Sequence, residues 1–434
     1  MRIWRLAGLL VAFAMIAAAC GDTASTTTVT EAPPATEAPA TEAPATEAPA
    51  TEAPPTTEAP VLPALQIWAD DKFGLILPDI AAPFTEETGV PVEITVIDFG
   101  DMQEQIITAA PVGEGPDVFI GAHDWLGAMV ENGIAAPLDL GAKTSSFTEV
   151  SLNALKFDGS QYAMPYAQEA IALFYNADLV TEPPATVAEL TAICDDLGDA
   201  IDNCWGVQGG GVGGDAFHNF PFVSVKGGYI FGFDPDSGFD TSDVGIDSEG
   251  AIAGVTAMAD LVADGYIDGI DEDDAKQLFL DSKEAFFMSG PWWINTWNDA
   301  GLNWGVTVLP TLEGDPMGPF VGVRGFYVSE FGENKAVAEE FLLSFIATDE
   351  TMLSLFEADP RGPAWIPTIP ATGDEFAPFA ESASNGQFMP NIPEMGAVWG
   401  PLGDQLLAVR QGVATPADAM AAAAEQIRAA VAES

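Results

Sequence analysis

Between residues 64 and 133 the apolar positions follow two alternating rhythms. Leu65-Gln66-Ile67-Trp68 reads as a short strand, and the run after Asp70-Asp71-Lys72 has helical spacing and closes at Gly89, a natural left-handed cap. Val92 to Ile97 alternates with the two-residue period of a strand, and Asp101 to Ala110 returns to helical spacing. Asp117-Val118-Phe119-Ile120 is a further short strand, followed by a helix that ends at Gly133. Strand, helix, strand, helix at this length predicts an α/β layer with a parallel sheet. In open sheets of that kind ligands are met beyond the carboxyl ends of the strands. Asp71 lies just past the first strand and His123-Asp124-Trp125 just past the third, so both are candidate ligand positions. Farther along, Asn334 to Ala347 predicts an amphipathic helix. A last helix is expected from Pro416 to about Val431, opened by Thr415 with Asp418 three residues later.

The chain before this body has a different character. Arg2 and Arg5 precede an apolar run from Leu6 to Ala19, which stops at Cys20-Gly21-Asp22. A basic start, a run of about 14 apolar residues and small residues at the break describe a secretory signal, since a spanning helix needs roughly 20. Ala17-Ala18-Ala19-Cys20 resembles a bacterial lipobox, which implies a lipid on Cys20 and an extracytoplasmic, membrane-anchored protein; simple cleavage and secretion is the alternative. Residues 21–63 repeat Thr-Glu-Ala-Pro-Ala, and regular prolines and mutually repelling glutamates predict an extended, solvated spacer.

Composition narrows the function. Thirteen Lys and Arg against 66 Asp and Glu give a formal charge of −53, which repels phosphate backbones and argues against a nucleic-acid partner. Hydrophobic residues make up 48% of the chain, and the roughly 370 residues after leader and spacer are enough for two domains. Beyond Cys20 only Cys194 and Cys204 remain; export favours a disulfide between them over free thiols. With only His123 and His218 in addition, they make a poor zinc set, and no metal or cofactor is implied.

The candidate chemistry is aromatic and acidic. Gly290-Pro291-Trp292-Trp293-Ile294-Asn295-Thr296-Trp297 places three tryptophans beside a Gly-Pro break, which suggests an indole face presented at a loop; ordinary core is the rival reading. A sugar ring, with apolar C–H faces and a hydroxyl rim, suits such a platform flanked by carboxylates. Asp71, Asp124 and Glu169 lie beside apolar segments, where an unpaired charge is costly. No Gly-x-Ser-x-Gly elbow, Walker-type phosphate loop or His-Glu-x-x-His motif occurs, and Gly209 to Gly214 lacks the lysine of a phosphate cradle and reads as a flexible loop. A glycoside hydrolase with Asp124 and Glu169 as acid and base stays open, because so many carboxylates always leave a pair to choose from.

Several segments in one order carry a family resemblance from about Leu65 to the last helix. They include Gly115-Pro116-Asp117 with Ala122-His123-Asp124, Glu169-Ala170 leading to Tyr175-Asn176-Ala177-Asp178-Leu179, Gly227-Gly228-Tyr229, Gly290-Pro291-Trp292, Gly305 to Thr311, Pro319 to Val323, Met389-Pro390-Asn391-Ile392-Pro393, and Trp399. The chain resembles the maltose/maltodextrin-binding proteins among bacterial extracellular solute-binding proteins. The resemblance implies a periplasmic-binding-protein-like α/β fold with two lobes, a hinge of three crossings near Gln168, Val321 and Asp374, and a central ligand cleft. It places residues 64–168 and 322–374 in the N-lobe, and 169–321 and 375–434 in the C-lobe.

Residue by residue, the resemblance implies sugar contacts at Asp71, Lys72, Asp124, Glu169 and, farther out, Glu104. Trp292 and Trp399 become aromatic platforms on the opposite lobe. Asp215 and Phe217 stand where the family has glutamate and tyrosine, Gly121 where it often has tryptophan, Trp125 where it has arginine, and Gly403 where an arginine would sit. Trp125 is expected to restore the stacking surface missing at Gly121. The implied activity is non-catalytic: a monomer closes around maltose, maltodextrin or a related α-glucoside and docks on the permease of an ABC transporter.

Overall fold

The computed structural model describes residues 62–209, 214–234, 238–267 and 272–433. The leader, nearly all of the spacer, and Gly210 to Gly213 of the glycine-rich loop lie outside them. The first sheet begins as the sequence predicts. Strand β1 (Leu65–Ala69) pairs in parallel with β2 (Val92–Val96) and β3 (Val118–Ala122), with α1 (Asp71–Thr88) and α2 (Phe99–Ala109) as the connections. Asp70 caps α1 by accepting the Phe73 N–H at 3.0 Å, and Gly89 ends it at φ 73°, a left-handed conformation that costs glycine nothing. Phe73, Leu77, Ala81 and Phe84 form the buried face of this helix, worth roughly 1.5–3 kcal/mol for each large side chain. Pro78 and Pro83 lie on its exposed side.

The remainder of this sheet departs from the expected parallel layer. β4 (Ala163–Glu169) and β9 (Phe320–Val328) join it antiparallel, with β9 between β3 and β4, and the two-residue β10 (Gly362–Pro363) and β11 (Gln387–Phe388) complete it. The order is β10-β4-β9-β3-β1-β2, with β11 alongside β9. A parallel neighbour requires a helical crossover on the same sheet; β9 arrives from the other half of the protein, so nothing in the connection fixes its direction. Every residue of β9 is buried, Arg324 included.

A second sheet is built from β5 (Ala172–Asn176), β6 (Asn203–Val207), β7 (Glu284–Ser289) and β8 (Trp304–Thr307), in the order β8-β5-β7-β6. β6 and β7 run parallel, while β5 is antiparallel to both β7 and β8. Its core includes Leu173, Trp205, Phe222, Phe286 and Met288, and it is packed by α3 (Ala216–Ser224), α4 (Gly396–Arg410) and α5 (Pro416–Glu433). Separate hydrophobic clusters surround the two sheets, which both belong to one compact unit. Glu169 ends β4 in the first sheet and Ala172 opens β5 in the second, so the chain passes between them at Ala170-Ile171. Cys194 and Cys204 are bonded, with 5.6 Å between their α-carbons, joining a helix end to β6 beside the second core. The segment expected as a helix from Asn334 is α-helical only over Lys335–Glu340; Phe341–Ile346 widens into a π-helix, which turns Phe341, Leu342 and Ile346 into the core.

Candidate functional site

The carboxyl ends of β1, β3 and β4 carry a cluster of charges. Asp70, at the end of β1, uses one oxygen to cap α1 and the other to accept from Arg324 Nη2 at 2.6 Å. Both residues are buried. Burial raises the Asp70 carboxyl, but Arg324 and the cap outweigh it and hold the group below its ordinary value. Asp71, the expected ligand contact, is exposed in the first turn of α1. Lys72 turns inward: its Nζ donates to the Trp292 carbonyl at 2.5 Å and stands 5.0 Å from the centroid of the Trp293 ring. Burial pushes the Lys72 ammonium down to about 8.

Past β3, His123 to Trp125 form one tight turn. His123 Nδ1 accepts from the Val323 N–H at 3.1 Å, so Nε2 carries the proton and donates to the Met389 carbonyl at 2.9 Å. Burial drives its pKa down to about 4, and the ring is a neutral strut. Asp124 is buried and accepts from Trp399 Nε1 at 3.1 Å; desolvation raises its pKa to about 7. Trp125, at 5% exposure, is not an open stacking surface. It stacks on Phe99 at 4.7 Å and fills the space over Gly121, where a Cβ would come within 2.6 Å of its ring. The guanidinium of Arg324 sits 3.9 Å from the Phe99 ring centroid.

Glu169 closes β4 and is ion-paired with Arg361, whose Nε donates to Asp359 at 2.6 Å. The same guanidinium lies 5.1 Å from the Trp292 ring centroid. Glu104 is exposed on α2, and among the described residues no hydrogen bond or ion pair ties it to this cluster.

The second sheet contributes aromatic faces. Trp292 follows β7 in a tight turn, and Gly290 is required before it, because a Cβ there would lie 1.9 Å from the indole. Phe217 stands 6.3 Å from Trp292 and 6.2 Å from Phe320, and Phe320 lies 5.6 Å from Trp399 on α4. Trp293 stacks on Trp297, which is fully buried, and has Lys72 and Lys276 over its ring, while Trp292 faces the Arg361 guanidinium. Asp215 caps α3 and pairs with His218 at 2.7 Å; against the effect of burial, that partner keeps its carboxyl below the ordinary value. Gly403, where the family resemblance leads one to look for arginine, presses its backbone against Gly214, whose Cβ would meet the Gly403 carbonyl oxygen at 2.0 Å.

Lys72, Asp124, Glu169, Trp292 and Trp399 thus form one connected group, Phe217 and Asp215 flank it, and Asp71, Glu104 and Trp125 stand apart from it. Asp70, Arg324, Asp359, Arg361 and Phe320 belong to the group without having been foreseen. Arg324 had a signal: it is the one charge in the otherwise apolar run from Phe320 to Val328, in a chain with only 13 cations. A cavity of about 780 Å³ adjoins the cluster at Phe320 and His123; Tyr229, Phe231, Phe233, Phe239 and Phe388 help to line it, and none of the ten expected contact residues does. Where the cluster forms, side chains from the two sheets touch directly. Among the described residues no group of three His, Cys, Asp or Glu side chains could hold a metal ion, and no helix is long and apolar enough to cross a membrane.

Comparison with known proteins is informative over nearly the whole body. The chain is 32% identical over 376 residues to a galactooligosaccharide-binding protein of Bacillus subtilis (strain 168), covering 83% of this chain and 88% of the relative. It is 28% identical over 348 residues to a maltodextrin-binding protein of the same organism, covering 77% and 82%. A maltooligosaccharide ABC transporter solute-binding lipoprotein of Streptococcus pneumoniae (strain ATCC BAA-255 / R6) is 26% identical over 356 residues, or 79% and 82%. These relatives are binding proteins rather than enzymes. Residues 79–378, which span most of both sheets, match the family described as bacterial extracellular solute-binding protein. Two α/β halves meeting at a buried polar and aromatic seam, and a match of this length, have one reading: the chain belongs to the bacterial extracellular solute-binding protein family.

Proposed function

We propose that this protein captures a neutral oligosaccharide between its two halves and delivers it to the permease of an ABC importer, held at the membrane by a lipid on Cys20 and acting as a monomer. Maltose, maltodextrin or a related α-glucoside is the favoured ligand. One observation carries the reading: the Trp399 indole of the second half donates to Asp124 of the first, the Trp292 ring faces Arg361, which is paired with Glu169, and the Trp292 carbonyl accepts from Lys72. An apolar platform opposite charged and polar hydrogen-bonding groups complements the C–H faces and hydroxyl rim of a sugar. Asp71, Glu104 and Trp125 have weaker support, since each stands outside the connected group; Asp215 and Phe217 serve the second half from its edge. The moving halves are divided near the crossings expected after 168, 321 and 374, with the first crossing taken at Ala170-Ile171, so that Glu169 moves with the first sheet.

A galactooligosaccharide is the second ligand reading, favoured by the relative of that name at 32% identity. Thermal-shift measurements against maltose, maltotriose, trehalose, cyclodextrin and galactooligosaccharides separate the two, because a ligand that binds the native state raises its melting temperature. Trp292→Ala and Trp399→Ala are expected to weaken binding of the best sugar by about 2 kcal/mol or more each, measured by calorimetry. Wild-type affinity in both variants removes the platform assignment. It would redirect attention to the 780 Å³ cavity, where Phe388→Ser becomes the informative variant.

Hydrolysis is the competing chemistry, and the raised pKa of Asp124, about 7, is the property a general acid would have. Glu169, however, is engaged by Arg361 and Asp124 by Trp399, which suits holding a ligand better than attacking one. Maltodextrin incubated with the protein is expected to yield no new reducing ends; their appearance would convert the cleft to an active site.

A further inference from the structure

Arg361 is one of the residues through which the charged and aromatic parts of the site touch. It precedes the short strand Gly362–Pro363 of the first sheet and is buried. Its Nε is fixed on Asp359 and its Nη1 on Glu169, while the guanidinium faces Trp292, which belongs to the second sheet's side. A planar fork can hold two carboxylates and still present a flat cationic face to an indole, which a lysine cannot do. Other contacts cross the same seam, Lys72 Nζ to the Trp292 carbonyl and Trp399 Nε1 to Asp124. Lys72 also stands over the Trp293 ring, and Asn295 donates to the Glu357 and Ala358 carbonyls; among these crossings two end on Trp292, and one of the two comes from a residue that also fixes a candidate ligand carboxylate.

We propose that Arg361 is a positioning residue for ligand capture: by joining Glu169 to Trp292 it orients the carboxylate and the indole together and holds the two halves closed on each other. The proposal rests on the reading that the cleft binds sugar. Arg361 orients Glu169 through one oxygen, Oε2, leaving Oε1 to accept a ligand hydroxyl. Opening the halves separates Arg361 from Trp292 but leaves Arg361 with Asp359 and Glu169, all three on the first sheet's side. The guanidinium thus keeps its carboxylate partners in both states and gains the indole only on closing, so it favours the closed form without being stranded in the open one.

The test uses the full chain and two probes, maltotriose and a β-1,4-linked galactotriose. Arg361→Gln is expected to weaken binding of whichever probe the wild type takes at least tenfold. Arg361→Lys, which keeps the charge and loses the fork, should weaken it threefold or more. Because Arg361 and Trp292 act as a unit, Arg361→Gln combined with Trp292→Leu should lose no more than the worse single variant. Wild-type affinity in Arg361→Gln, or losses that multiply in the double variant, would overturn the proposal. Small-angle scattering of the sugar-free protein gives the independent arm: the radius of gyration should rise in Arg361→Gln and, to a smaller extent, in the well-folded Arg361→Lys. An unchanged radius in both overturns it. If neither probe binds the wild type, the sugar reading fails by itself, and the scattering result still decides the role of Arg361.

Discussion

The two halves of the cleft are built on different physics. On the first sheet the strand ends carry buried charges that are already paired: Asp70 with Arg324, and Glu169 and Asp359 with Arg361. On the second, Trp292, Phe217, Phe320 and Trp399 supply rings, and Asp215, the acid there, is taken up by His218 and a helix cap. Buried charges demand partners fixed in advance, because desolvation of an unpaired one is costly, whereas rings can wait for a ligand face. The first half therefore arrives organised by its ion pairs, and the second half contributes the rings.

The largest expected effect follows from breaking a charge pair in the first half. Arg324→Leu leaves Asp70 buried and uncompensated and removes the cation from the Phe99 ring, so a loss of about 3–5 kcal/mol of stability is expected in urea unfolding. The double variant Arg324→Leu/Asp70→Asn should recover part of it, since the amide oxygen can still cap α1. Asp124 gives the next effect. Its folded pKa of about 7 lies above the ordinary carboxylate value of 3.8, so the folded state holds a proton that the unfolded chain releases between those limits. Relative to Asp124→Asn, the wild type should therefore lose stability as pH rises from 4 to 7, by a few kcal/mol in order of magnitude, and the two profiles should run parallel above pH 8. Parallel profiles across the whole range would show that Asp124 is ionised throughout. The smallest effect concerns the second half. Reducing Cys194–Cys204, which closes a short loop, is expected to cost about 2–3 kcal/mol, read as a lower melting temperature, and to leave the first half's charge pairs as they are.

Local rules made much of the fold legible. The alternation in Val92 to Val96, the buried face of α1 and the glycine at 89 each depend on neighbours within a few residues, and β1 to β3 came out where the pattern placed them. Direction and pairing of β9 did not, because they are set by a strand that returns to the first sheet after the chain has built the second. The site divides along the same line. Trp292, Trp399, Asp124, Glu169 and Lys72 are connected in space, but Asp70 and Arg324 are 254 residues apart and nothing local announces the bond. Asp70 and Asp71 are adjacent and chemically identical; one step of a helix start sends the first into the protein as a cap and leaves the second in solvent. Trp125 misled for a steric reason: Gly121 leaves a hollow, and the nearest large ring filled it rather than facing outward.

His123 has a mechanical consequence. Its imidazole pins Val323 with one nitrogen and Met389 with the other, fastening three distant passes of the chain at a single bolt. The three passes are thereby held as one body at that point, whereas Ala170-Ile171 belongs to neither sheet and is free of any such clamp from the ring.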